Sequence, residues 1–448
     1  MGKFFDRLKT GLFYLYSSLV YLIIFLIVWF ISYTFLFPNI YNFMVKAFSA
    51  TTYGNPETVI VAIDDKSIDK VRWPWKREMY AKIMNYFSDY TDIKIIGLDT
   101  VVKGSDLQNP ASDRAFYGAV ARLSDKLVTA FVPTMQDYPE DVDGGIYEAY
   151  FNQRFKINIE DKRTQKAAPL YKSMAVFPAE YFFSVKNVGS SANGMHGVNK
   201  TFIKTYSLVN INGELYPSIA LRMYLLANDT DKITLYNDKI VVDKTGLKIP
   251  VTDKQLFTSN IHFYKYHPGT IYSHKTYSAI DIINSYDAIK AGKKPLINPA
   301  EFKGKTVFFG LNARGDVVGL EDSGMTPVGI NHPGVDIQAS IYDNLVNSQI
   351  LHRPHLLAEI AVALVLSLIT FLLVMNLTFG VSLSVVMGTI IGYILINALM
   401  LYPRNIVPDA ITPVVVILAT LIFGYAFRFI LENKNKEKVK QHSCCKLR

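Results

Sequence analysis

"ETVIVAIDD", Glu57–Asp65, is the stretch that decides how this chain folds. Thr58 to Ile63 form one β-branched, apolar run that ends in two acids. A strand with one face in water alternates polar and apolar residues; a near-continuous apolar strand is buried on both faces, as in a parallel sheet covered by helices. "DIKIIGLDTVV" (Asp92–Val102) and "KLVTAFVP" (Lys126–Pro133) repeat the pattern. Between them lie "KREMYAKIMNYFSDY" and "SDRAFYGAVARLSD", in which Met79, Ile83 and Phe87, then Phe116, Val120 and Leu123, recur at helical spacing. Strand–helix–strand–helix–strand predicts right-handed crossovers and an α/β domain with a largely parallel or mixed sheet.

Further along, "LVNINGELYP" predicts a hairpin turning at Asn212-Gly213, with a helix from about Pro217. "KITLYNDKIVVDKTGLKIPV" reads as two or three short strands, and "SNIHFYKY" as another. "FKGKTVFFGLNARGD" supplies a further buried strand, Thr306 to Phe309, ending at Gly310. "HPGVDIQASIYDNLVNSQIL" reads as a turn at Pro333-Gly334 and then a helix.

Outside this region the chain changes character. Half of its 448 residues are hydrophobic and its mean hydropathy is positive. Four apolar runs stand out, at residues 11–37, 356–377, 380–401 and 411–431. Each reaches the roughly 20 residues that cross a bilayer core. The net charge of +9 lies mostly at the ends, +2 before the first run and +5 from Arg428 onward, which leaves +2 between. That distribution argues against a nucleic-acid partner and marks both ends as cytoplasmic. Four crossings then place residues 38–354, about 315 residues, outside the cytoplasm, between a cytoplasmic N-terminus (1–10) and tail (432–448). The first run exceeds a signal-peptide core and is read as an uncleaved anchor. The two cysteines, Cys444 and Cys445, lie in the tail, so the outer domain has to fold without disulfides.

Parallel sheets place their sites outside the carboxyl ends of their strands. Asp64, Asp65, Asp99 and Asn312 fall at such ends, with Asp316 just beyond. They form a candidate cluster for a cation or small polar ligand; the competing role is helix capping and loop anchoring. No cofactor is expected. Trp73 and Trp75, two of the three tryptophans, flank Pro74. Pro74 suits the first turn of a helix, so the pair reads as a packed corner or as a pocket wall. Arg77, one turn on, is expected to pair with Asp64 or Asp65.

Enzyme constellations are missing from the sequence. It has no P-loop, no Gly-x-Ser-x-Gly elbow and no His-Glu-x-x-His, and "GLNARGDVVG" lacks the lysine and serine of a phosphate cradle. The chain alone is expected to have no catalytic activity. The last three apolar runs carry no Asp, Glu, Lys or Arg in their cores, which disfavours a transporter.

"VIVAIDDKSI", "RWPWKREMYAKI", "IIGLDTVV", "YPSIALRMYLL", "FKGKTVFFGLNARGD" and "HPGVDIQASIYDNLVNSQILHRP" together resemble the second-type CHASE domain, an extracytoplasmic sensor of bacterial receptors. The resemblance spans nearly the whole chain and departs at Gln338, where the family usually has histidine. It implies one span, a sensor, three spans and a cytoplasmic output domain, often a class III adenylyl cyclase or a protein kinase, in the bacterial inner membrane. The chain stops about 17 residues after its last apolar run, so that output domain is expected to be missing. Phe427, Ile430 and Leu431 would face a second subunit in a homodimer. The sensed partner would be an unidentified small ligand or a protein outside the cytoplasm. The rival reading is a membrane-anchored binding or assembly protein with no signalling output.

Overall fold

The computed structural model describes residues 2–37, 43–45, 52–164, 171–192, 201–251, 257–312 and 322–446. The chain divides into two compact units, residues 45–352 and residues 1–44 with 353–448.

The first unit is built on a six-stranded sheet. Its strands are β1 (Thr58–Ile63), β2 (Ile95–Asp99), β3 (Leu127–Phe131), β4 (Val188–Ser190), β5 (Lys275–Ser278) and β6 (Thr306–Leu311), in the spatial order β5-β1-β6-β2-β3-β4. Every neighbouring pair is parallel. The continuous apolar runs behave as their composition demands, and all six residues of β1 are buried. Helices α1 (Asp65–Lys70), α2 (Arg77–Tyr90), α3 (Pro110–Leu123), α4 (Ile219–Ala227), α5 (Ala279–Lys290) and α6 (Gly334–Val346) connect and cover the strands. α2 packs between α3 and α5 on one face, while α4 and α6 pack together on the other. The expected α/β architecture with a parallel sheet is therefore the observed one.

Each helix follows from local chemistry. Asp64 caps α1 by accepting from the Ser67 amide (2.9 Å), and Asn109 caps α3 with Pro110 in its first turn. α2 buries Tyr80, Ile83, Met84 and Phe87 and turns its polar residues outward. α4 lies so close to the sheet that a Cβ on Gly189 of β4 would sit 2.4 Å from the Ile219 backbone.

Around the sheet sit smaller elements. The predicted hairpin pairs Leu208–Ile211 with Glu214–Pro217, and Asn212 and Gly213 take positive φ (50° and 94°), the geometry of a tight primed turn. The helix expected from Pro217 starts at Ile219, capped by Ser218. Three strands between Lys232 and Pro250 form a small sheet with Asn158–Asp161. In "SNIHFYKY" only Ser259 and Asn260 are in a strand, Thr258–Asn260. The backbone beyond is held irregularly, and Asn344 of α6 takes the His262 amide (2.8 Å).

The second unit contains four helices long and apolar enough to cross a membrane, with apolar segments Leu15–Leu36, Leu356–Asn376, Phe379–Met400 and Thr412–Glu437. Phe25, Ala363 and Val416 meet in its core, as do Val386, Ile390 and Ile417. Arg428 donates to the carbonyls of Val374 (2.8 Å) and Leu377, the free C-terminal carbonyls of another helix. The Phe427 ring packs against Phe371 and Phe423 within this unit. Ile430 remains 46% exposed. The last helix continues as one element to Lys446.

Candidate functional site

The carboxyl edge of the parallel sheet carries a cavity of about 240 Å³ beyond the tip of β2. Trp73, Trp75, Tyr80 and Phe116 supply aromatic walls, and Leu98, Val101 and Val102 supply aliphatic ones. Pro74, Thr100, Arg77 and Lys103 complete the lining.

Trp75 is buried and fixed by two contacts. Its indole N–H donates to the Val71 carbonyl (2.9 Å), and its ring meets Tyr80 edge-on at 6.0 Å. Trp73 is half-buried against the same core. The Trp73-Pro74 peptide is cis, and the helix starts at Arg77 rather than at Pro74. The tryptophan pair is thus both a packed corner and a pocket wall.

Arg77 does not reach Asp64 or Asp65. α3 lies alongside α2 and presents Asp113, which the guanidinium meets at 2.6 Å while also donating to the Tyr117 hydroxyl (2.6 Å). Its second terminal nitrogen donates to the carbonyls of Lys103 (3.0 Å) and Gly104. Asp113 in turn accepts from the Asp106 amide (2.7 Å). Arg77 therefore ties the 100–106 loop to α3 and holds that wall of the cavity in place. Burial, countered by the Arg77 charge, pushes the Tyr117 hydroxyl up to about 12, so it stays a neutral acceptor for Arg77. Thr100 Oγ1 is buried at the cavity and has no hydrogen-bond partner among the described residues.

The described residues at the strand ends take different partners. Asp64 is used as a cap, with the Ser67 and Ser278 hydroxyls also donating to it (2.6 and 2.7 Å). Asp65 lies in the first turn of α1. Asn312 donates to the Tyr272 hydroxyl. Asp316 lies outside the described residues. Asp99 closes β2; removal from water and the nearby Asp322 carboxylate raise it to about 8. Burial raises Asp322 as well. A Cβ on Gly310 of β6 would lie 3.0 Å from the Val335 side chain and 3.4 Å from Asp99 Cβ, so β2, β6 and the start of α6 meet here without intervening space. Among the described residues, no group of three or more His, Cys, Asp or Glu could hold a metal ion.

A second charged constellation lies under α6, and the sequence reading missed it. Asp336 and Asp343 project from one face of the helix, and His274 beside β5 bridges them, Nδ1 to Asp336 and Nε2 to Asp343 (2.9 Å). His332 donates to Asp336 (2.7 Å), as do the Ser273 amide and hydroxyl (2.8 Å each). Asp343 also accepts from Thr58 Oγ1 and the Asn55 amide, both at 2.6 Å. The three side chains His274, Asp336 and Asp343 are wholly buried. Burial alone would lower His274, but the two carboxylates outweigh it and raise it to about 10, so both ring nitrogens donate at neutral pH. Burial would raise Asp336, yet His274 and His332 hold it well below the usual carboxylate range. The seven-residue spacing of Asp336 and Asp343 was the available signal: two turns apart, they share a face.

The tryptophan wall "RWPW" and the α6 start "HPGVDIQA" therefore frame opposite sides of one sheet edge. No curated protein and no solved structure matches the chain. A family model, the CHASE2 domain, matches residues 20–377. The chain belongs to the CHASE2 family, extracytoplasmic sensor domains of signalling receptors.

Proposed function

We propose that this chain is the sensing and membrane-anchoring part of a receptor, and that its ligand enters the cavity beside Trp73 and Trp75. The observation that carries the reading is the cavity itself, at the carboxyl end of a parallel strand, where α/β folds bind ligands. The basic ends of the chain support an inside-facing N-terminus and tail, with residues 45–352 outside the cytoplasm of a bacterial inner membrane. The output that such a sensor would drive is an adenylyl cyclase or a kinase acting as a dimer. Asp64, Asp65 and Asn312 take part as supports of the edge, while Trp73, Trp75 and Arg77 shape the pocket.

The tip of β2 couples the pocket to α6. Leu98 faces the cavity, and Asp99, the next residue, faces Gly310, Val335 and Asp322 on the other side. Successive side chains of a strand point to opposite faces, so one backbone segment touches both. α6 ends at Val346, and six residues (347–352) join it to the membrane unit. A ligand that fits the cavity better in one arrangement of β2 and α6 shifts the balance between arrangements; equal fit to both would shift nothing.

The test uses the full chain in lipid nanodiscs, melted against a panel of small organic compounds. A compound that raises the melting temperature in the parent, but not in a Val101→Trp variant with the cavity filled, supports the reading. Shifts that persist in Val101→Trp, or no shift with any compound, would sink it. Labelling single cysteines introduced in the 45–352 unit from outside intact cells checks the orientation.

A further inference from the structure

The cavity wall restricts what can enter, and this deepens the ligand-site reading on which it rests. About 240 Å³ exceeds the roughly 150 Å³ that holds one benzene in an apolar protein cavity. It leaves room for a ring with one substituent. Trp73, Trp75, Tyr80 and Phe116 offer ring faces and edges on several sides, the surroundings that favour a flat π-system.

The polar groups select the substituent. Among the described residues no carboxylate lines the cavity. Arg77, the more buried cation, is already neutralised by Asp113, and its terminal nitrogens also donate to Tyr117 and the loop carbonyls. Lys103 is different: it is exposed at the rim and makes no ion pair among the described residues. Thr100 lines the cavity, and its Oγ1, buried and without a partner among the described residues, is a hydroxyl donor left unused. A cationic ligand would meet the unpaired Lys103 with no carboxylate of the described lining to balance its charge. We infer that the cavity between Trp73, Trp75 and Thr100 binds a single-ring aromatic carboxylate, with the ring against the indoles and the carboxylate between Thr100 and Lys103.

The probes are benzoate, benzyl alcohol and benzylamine, titrated into the full chain in nanodiscs. Binding is read by calorimetry and by the emission of Trp73 and Trp75, with Trp29→Phe removing the one other indole. Benzoate is expected to bind about fivefold more tightly than benzyl alcohol, the scale of one exposed charge contact. Benzylamine is expected not to saturate. Lys103→Ala should bring benzoate and benzyl alcohol within about twofold, and Thr100→Val should weaken benzoate more than benzyl alcohol. Lys103 is exposed, so its variant tests the charge without threatening the fold. Benzylamine binding as tightly as benzoate, or a preference for benzoate that survives in Lys103→Ala, would overturn the assignment. A different compound class that stabilises the parent but not Val101→Trp would also overturn it and would leave the cavity as the sensing site. Silence from every compound would remove both readings.

Discussion

Arg77 and His274 are both cations paired with carboxylate, and the difference between their surroundings separates two regions of the sensor unit. Arg77 sits at the edge, on side chains 16% exposed for itself and 6% for Asp113. Its bonds run to a loop, and behind that loop the structure leaves a cavity. His274 is wholly buried between Asp336 and Asp343, and its network leaves no space. One arrangement holds a wall open. The other clamps a helix to β1 and β5. The proposed mechanism uses both kinds: a site that admits a ligand and a helix stiff enough to move as a unit.

Breaking the clamp is the largest perturbation available. Asp336→Ala strands His274, His332 and Ser273 in the interior, and removing one member of a buried charged set costs about 3–5 kcal/mol. Denaturant unfolding of the full chain should show that loss, with cooperative melting of the sensor unit moved to much lower temperature. A loss under about 1 kcal/mol would mean that α6 is held by its apolar contacts alone. Arg77→Met comes next. It removes charge-assisted hydrogen bonds to Asp113 and the loop, worth about 1.5–3 kcal/mol. Its signature is local: amide exchange at 103–106 should rise while exchange in α6 stays unchanged. A uniform rise across both regions would erase the distinction between edge and clamp.

How much of this was legible in sequence follows from the same physics. The β1 and β6 strands announced themselves, because burial on both faces leaves no place for polar alternation. β4 and β5 did not. They are edge strands of three and four residues, Val188–Ser190 and Lys275–Ser278, too short or too polar to show a pattern. The tryptophan corner was visible as a motif, but its cavity is space left by packing, which no residue spells out. The predicted Arg77 partner failed because Asp113 lies 36 residues away, on a helix whose position depends on the crossover after β2. His274 is 62 residues from Asp336, and a single histidine before a polar strand carries no sign of the partner it will meet.

The alkaline side of the stability curve sharpens the comparison. Asp99 is raised from an ordinary 3.8 to about 8, so the folded chain holds a proton that the unfolded chain releases. Its contribution is fully present below about pH 4 and is lost as pH rises through 8. His274 is raised from 6.5 to about 10, so its share is full below 6.5 and fades as pH rises through 10. Asp99→Asn should therefore flatten the loss of melting temperature between pH 4 and 8 and add about 1–2 kcal/mol above pH 8, by removing an ionised group from a poorly hydrated site. It should leave the limb from 8 to 10 to His274. If Asp99→Asn melts like the parent at every pH, Asp99 is hydrated, and the link from β2 to α6 has no electrostatic part.

The smallest effect belongs to a pair that looks as strong on distance alone. Lys66 meets Asp281 at 2.6 Å, the same separation as Arg77 and Asp113. The lysine side chain, however, is 54% exposed. Water solvates it nearly as well when the partner is gone, and salt screens what attraction remains. Lys66→Ala should cost no more than about 0.5 kcal/mol and should vanish in high salt. Arg77→Met should keep most of its effect there, because its partner is 6% exposed and its bonds to the loop are to neutral carbonyls. Equal losses in the two variants would mean that burial at the edge is shallower than the geometry indicates. The wall of the cavity would then move as freely as any surface loop.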